Sequence, residues 1–211
     1  MAYEFDGVNQ YLSATAPIDC LTKPFTLACW FNSDTITSNQ YLLSIGNNLN
    51  AWAISAHGGL SGDPVLCIQT SVAGFAQSTA GYSANTWQHA CGVFNSTASR
   101  TVYLNGGNSN TNTASEGTRP AATFLHIGVT RFNNAFTQYT NGKIAEVGVW
   151  SAALTEAEIA SLSQGMTCDK VRPQNLVFYA PLVRDLMDTK GGLTITNNNG
   201  ATVANHPRVY A

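Results

Sequence analysis

Cleaving a glycosidic bond takes two carboxylates about 5–5.5 Å apart in a retaining enzyme, and acids two positions apart on a strand share one face. The chain has five glutamates: Glu4, Glu116, Glu146, Glu156 and Glu158. Glu156 and Glu158 have the spacing, but they fall in a predicted helix, where positions i and i+2 point to different sides. Asp185 and Asp188 stand in the tail without a third acid. No catalytic pair is therefore expected on a strand. No G-x-S-x-G, H-E-x-x-H or phosphate-binding loop occurs either. His57, His89, His126 and His206 are isolated in sequence, so each reads as a packed or exposed imidazole and not as a base or ligand. No enzyme is expected.

Binding is the chemistry that remains. "TRFNNAFTQYTNG" (130–142) gathers Arg131, Phe132, Asn133, Asn134, Phe136, Gln138 and Tyr139 into one predicted loop. Aromatic faces stack on sugar rings, and amide and guanidinium groups hydrogen-bond hydroxyls. The competing reading buries these aromatics against a neighbouring subunit or the rim of the fold. "AHGGLSGD" (56–63) is a weaker second loop.

Composition narrows the field. Charged residues make up 10% of the chain, against about 25% in an average globular domain. Between Thr35 and Ser99 the one full charge is Asp63, so Asn, Ser, Thr and Gln must carry the surface. A net charge of −2 with scattered Lys and Arg excludes a nucleic-acid partner. No apolar run is long enough to cross a membrane, so no membrane insertion is expected. "MAYEFDGVNQ" lacks the basic and apolar regions of a signal peptide, which predicts folding in a cytosol. The five cysteines (Cys20, Cys29, Cys67, Cys91, Cys168) are odd in number and include no C-x-x-C, so neither a zinc site nor a disulfide framework is expected.

The elements that must position these residues are mostly strands. Short runs rich in β-branched and aromatic residues, separated by Gly, Asn and Ser, predict strands near 2–6, 10–14, 25–33, 41–46, 51–57, 65–71, 75–80, 87–95, 100–105, 122–129 and 142–150. Two more are predicted near 176–182 and 193–196, with a last one at 201–210. The polar stretch 105–120 reads as a loop or a sheet edge. One helix is predicted near 155–164. Thr155 and Glu158 form a capping box, Ile159 and Leu162 give an apolar edge, and Gly165 stops it. Ten residues are too few to be helical alone, so the helix is expected to lie on the sandwich, as a plug over one open end. Many short strands with turns point to an antiparallel sandwich of two sheets.

"EFDGVNQYLSA", "FTLACWFNSD" (25–34), "NTWQHACGVFNSTASRTVYLNGG" (85–107) and "GKIAEVGVWSAALTEAEI" (142–159) stand in the order of a laminin G-like domain. The chain thus resembles that family, within the concanavalin A-like lectin/glucanase superfamily. The resemblance implies an all-β, two-sheet antiparallel jelly roll, one sheet concave and one convex. It covers residues 3–165, and 166–211 is expected to pack back on the sandwich, giving a single domain over 1–211. It also implies that Trp30, Trp87 and Trp150 fill core or sheet positions. Glucanases of the superfamily carry E-x-D-x-x-E, which is absent here.

No cofactor is required, though many relatives hold structural calcium through carboxylates and carbonyls. Asp6, Glu146 and Asp34 are the acids at hand for that. Short relatives without a signal peptide resemble proteins encoded by tailed bacteriophages. The expected function is a non-catalytic binding or adhesion module on a virion surface, recognising glycans or a host surface. Other virion proteins or further copies of the chain are its expected partners. The alternative is a purely structural virion decoration or assembly protein with no glycan ligand, and a polysaccharide-active enzyme stands third.

Overall fold

The computed structural model describes residues 1–17, 22–70, 74–115 and 121–210. In chain order the first strands are β1 (Ala2–Asp6), β2 (Tyr11–Thr15), β3 (Phe25–Ser33), β4 (Asn39–Gly46), β5 (Ala51–His57), β6 (Pro64–Gln69) and β7 (Ala76–Gly81). Next come β8 (Gln88–Ser96), β9 (Ser99–Leu104), β10 (Gly107–Asn112), β11 (Phe124–Ile127), β12 (Thr130–Phe132), β13 (Ala135–Thr137) and β14 (Asn141–Trp150). The helix α1 (Glu156–Ser163) follows, and then β15 (Leu176–Ala180), β16 (Thr196–Asn198) and β17 (Thr202–Ala204).

Two antiparallel sheets form the sandwich. One runs β10-β9-β8-β3-β14-β1-β17, with β15 also paired to β14. The other runs β16-β2-β11-β4-β5-β6-β7, and β12-β13 make a separate small ribbon. The period of two in each strand sends alternate side chains to opposite faces. Phe25, Leu27, Cys29 and Phe31 of β3 thus meet Leu43, Ile45 and Ile54 of the facing sheet in the main core. The sheets approach closely at Gly92, where a Cβ would lie 2.7 Å from Ile54 Cγ2. Any larger residue there would push the layers apart.

The segment after the helix returns to both sheets: β15 pairs with β14, β16 with β2 and β17 with β1. The polar stretch after Gly106 supplies an edge strand, β10. Its side chains are mostly exposed, as suits a strand with one unpaired side.

The helix is capped as predicted: Thr155 Oγ1 accepts from the Glu158 N–H, and the Glu158 carboxylate accepts from the Thr155 N–H. Arg172 donates to the same carboxylate through Nε and Nη2, both at 2.8 Å, which ties the helix start to the chain beyond it. Its place differs from the expected end plug. Ile159 and Leu162 are buried with Ala28, Cys91, Val93, Tyr103 and Trp150. These belong to the outer face of the eight-stranded sheet, opposite the core-facing residues of the same strands. That outer face carries a second apolar patch which needs a cover, and burying Ile159 and Leu162 against it stabilises the pair by about 1.5–3 kcal/mol per side chain. Trp150 anchors the patch, fully buried, with its indole N–H donating to Val171 O at 2.8 Å. No helix among the described residues is long and apolar enough to cross a membrane.

Candidate functional site

Along β2, Leu12 and Ala14 enter the core, so Tyr11, Ser13 and Thr15 take the outer face of the seven-stranded sheet. β11 sets His126 beside Ser13 and Phe124 beside Thr15. On its other side, β11 sets His126 beside Ser44. At the sheet edge, β16 adds Thr196 beside Ser13 and Asn198 beside Tyr11, and Asn198 Nδ2 donates to Ser13 Oγ at 2.9 Å. Strand alternation alone thus builds a face of aromatic and small polar side chains.

Residues 130–137, expected as open loop, form the β12–β13 hairpin. Its turn is Asn133–Asn134, with φ of 48° and 64°. Two consecutive positive φ values are what a two-residue turn of matching twist needs, and Asn tolerates them. The Asn134 N–H donates to Asn48 O at 2.7 Å, pinning the tip to the β4–β5 connection. The Gln138 carbonyl accepts from the Tyr41 N–H at 2.9 Å. The hairpin therefore lies along the sheet.

Phe136 lies 4.8 Å from Tyr11 and 5.4 Å from His126, ring centre to ring centre. Tyr139 lies 6.3 Å from Tyr11, and His126 stacks on Phe124 at 4.0 Å. The Arg131 guanidinium sits 5.2 Å over the Phe136 ring. Tyr11, Phe136, Tyr139 and Arg131 are half-buried, whereas His126 and Phe124 are buried beneath them.

The structure thus brings Arg131, Phe136 and Tyr139 together with Tyr11 and His126, which sequence reading left out. It leaves Asn133 and Asn134 exposed at the turn, and Phe132 and Gln138 half-buried on the hairpin. Burial, reinforced by the Arg131 charge, pushes His126 down to about 3, so this imidazole is neutral at physiological pH. Burial and the neighbouring Tyr11 and Asp6 push the Tyr139 hydroxyl up, so it too is neutral.

Three acids gather at one cleft, and Glu146 is buried apart from them. Glu4 and Asp6 do stand two apart on β1, a pair that the sequence reading passes over, and both line a cleft of about 320 Å³ with Asp34. Lys143 Nζ holds Glu4 and Asp34 together, at 3.0 Å from each. Burial works against the Asp6 charge, but the N–H groups of Val8, Asn9 and Gln10 outweigh it and hold Asp6 below its ordinary value. A carboxylate held ionised in that way is a poor proton donor. Glu146 lies elsewhere, buried in a β14 bulge at φ 51°. It accepts from Tyr179 Oη at 2.6 Å and faces His206 Nε2 at 3.1 Å.

Calcium needs six to eight oxygens in one shell. Asp6 is occupied by its own turn, Asp34 by Lys143, and Glu146 by Tyr179 and His206. No three His, Cys, Asp or Glu side chains converge among the described residues. Among the described residues, these acids as partnered do not fit a calcium site. Cys20 and Glu116 lie outside the described residues.

A separate cleft of about 670 Å³ lies at the helix end, between Ser161, Gln164, Met166, Lys170 and Tyr210. It is lined by one aromatic ring, Tyr210, with Ser161, Gln164 and Lys170 as polar side chains, whereas on the sheet several rings contact one another. Trp30 and Trp87 are half-buried, Trp30 packing edge-on to His89.

A laminin G-type family model, described as the concanavalin A-like lectin/glucanases superfamily, matches residues 6–160. Among curated protein sequences none matches. Of the solved structures, the chain is similar to a heptameric SAP-like pentraxin from Limulus polyphemus at 16% identity, with a TM-score of 0.70 over 97% of this chain and 94% of that one. It is also similar to a proposed carbohydrate binding protein from Bacteroides ovatus, at 20% identity and a TM-score of 0.69, over 99% of this chain and 61% of that one. A third is the CBM40 of a Ruminococcus gnavus IT-sialidase bound to α2,3-sialyllactose, at 11% identity and a TM-score of 0.59, over 77% of this chain and 96% of that one. At these identities the likeness concerns the fold, a lectin-type sandwich. The match over residues 6–160 makes the chain a member of the concanavalin A-like lectin/glucanases superfamily.

Proposed function

We propose that this protein is a non-catalytic carbohydrate-binding module whose ligand lies on the outer face of the seven-stranded sheet, against Tyr11, Phe136 and Tyr139, with Arg131 and Asn198 as polar partners. The observation that carries this is the cluster of half-buried rings formed by Phe136 on the pinned hairpin, Tyr139 just beyond it and Tyr11 of β2. Rings held in place lose little conformational freedom when a sugar stacks on them. Carbohydrate-binding neighbours of the same fold support the reading. So do the partners of the cleft acids, since Lys143 engages Glu4 and Asp34 and the N–H groups of Val8, Asn9 and Gln10 engage Asp6. Affinity electrophoresis through gels loaded with different polysaccharides tests it. The protein should be retarded by at least one, the Tyr139→Ala variant should run freely, and no new reducing ends should appear in the gel. Migration unaffected by every polysaccharide would count against the proposal.

The setting we propose is a virion surface, with the module attached to other virion proteins or assembled with its own copies. The first rests on the resemblance to laminin G-like proteins encoded by tailed bacteriophages. The heptamer named for the pentraxin neighbour supports the second. Co-sedimentation with purified particles and light scattering of the isolated protein test the two. A purely structural decoration protein would co-sediment and yet bind no polysaccharide.

A further inference from the structure

We infer that the saccharide taken by this face is acidic, its carboxylate or sulfate contacted by Arg131; this rests on the reading of the face as a carbohydrate site. Three of the chain's ten Lys and Arg side chains are tied into the fold. Lys143 bridges Glu4 and Asp34, and Arg172 grips Glu158. Arg100 is fully buried and donates to Gly74 O, Ala114 O and Asn112 Oδ1.

Arg131 differs. Among the described residues no carboxylate pairs with it, and its buried Nε has no acceptor. Its guanidinium is held over Phe136, which orients the plane without using the N–H groups on its edge. His126, the titratable group beside it, is neutral and offers no counter-charge. Asp6, the acid felt by Tyr139, is engaged by three backbone N–H groups.

An oriented guanidinium with unused donors, next to the half-buried rings of Tyr11 and Tyr139, matches a sugar ring that carries an anionic group. The ring stacks, and the anion takes two parallel N–H donors, a pairing stronger than a neutral hydroxyl makes. Arg184, Lys190 and Arg208 are exposed, but Arg131 is the cation set over a ring of the cluster.

The test is a glycan array that prints each acidic saccharide beside its neutral counterpart: oligogalacturonate and its methyl ester, sulfated and unsulfated galactan oligosaccharides, sialyllactose and lactose. The wild type should favour the acidic member of at least one pair by about tenfold, the scale of one good charged contact. Arg131→Gln should bring that pair within about twofold, and Arg131→Lys should retain part of the preference. Raising salt from about 50 to about 500 mM should weaken the acidic member several-fold and leave the neutral one unchanged. Equal binding of both members by the wild type would overturn the acidic-ligand inference and leave the carbohydrate reading standing. Binding to no printed saccharide would overturn both. Should Arg131→Gln fail to fold, the wild-type preference and its salt dependence decide the matter.

Discussion

Acid should destabilise this protein well above the pH at which its carboxylates titrate, because of its buried histidines. His89 is 2% exposed and His126 is 5% exposed. Burial pushes both down to about 3, with the Arg131 charge adding to the effect at His126. In the unfolded chain an imidazole titrates near 6.5. Between pH 6.5 and about 3 the unfolded state therefore binds more protons, and stability falls as pH falls. At pH 5 each of the two contributes a loss of about 2 kcal/mol relative to pH 7.5, about 4 kcal/mol together. His57, lowered to about 4 by burial, adds in the same direction. That is a large part of the 5–15 kcal/mol typical of a folded domain. Asp6 and Glu158 are held below their ordinary values despite burial, by backbone and side-chain hydrogen bonds. Their stabilisation is lost only as pH falls further, through the carboxylate range. Urea unfolding followed by tryptophan fluorescence at pH 7.5 and pH 5.0 measures the difference. His126→Phe, which suits a site between Phe124, Tyr11 and Phe136, should recover about 2 kcal/mol of the loss. A wild-type loss under about 1 kcal/mol, or a variant with the same pH dependence as the wild type, would refute the reasoning.

The helix cap, the thiols and the site each give a further test. Thr155→Ala removes the acceptor for the Glu158 N–H and should cost about 1 kcal/mol in urea unfolding at pH 7.5. Cys29, Cys67, Cys91 and Cys168 are buried, and burial pushes the thiols of Cys29, Cys91 and Cys168 up. A thiol reagent at pH 8 should find these four unreactive in the native state, and all five cysteines should react after denaturation without reductant. Missing thiols would contradict the reduced state expected from the odd cysteine count. Tyr139→Ala should weaken saccharide binding by about 1–3 kcal/mol and shift stability by only about 0.5 kcal/mol, as checked by titration and thermal unfolding.

What the sequence discloses depends on how local the determinant is. The capping box of Thr155 and Glu158 lies within one turn, so it is legible, as are strands such as β3 and β14, whose apolar runs are long. Where the helix docks is not legible, since its partners Ala28, Cys91 and Trp150 are drawn from three different strands. The β12–β13 hairpin escapes notice because its strands have three residues each and its turn is Asn-Asn, not Asn-Gly. Half of the candidate site is legible for a related reason. Arg131, Phe136 and Tyr139 stand close in sequence, but Tyr11 and His126 reach them only through the β2–β11 ladder. The outward phase of β2 is hidden because Tyr11, Leu12 and Ala14 all read as apolar. Glu4 and Asp6 are legible as a pair, yet Lys143 and the Asp6 turn, which occupy them, are not.

Calorimetric titration of the best-retained saccharide into the wild type and into a Tyr11→Ala/Tyr139→Ala variant tests the central claim most directly. The account predicts saturable binding to the wild type and a loss of at least about tenfold in the variant, with near-unchanged thermal unfolding. Equal affinity for both proteins, or no heat with any saccharide, would contradict it.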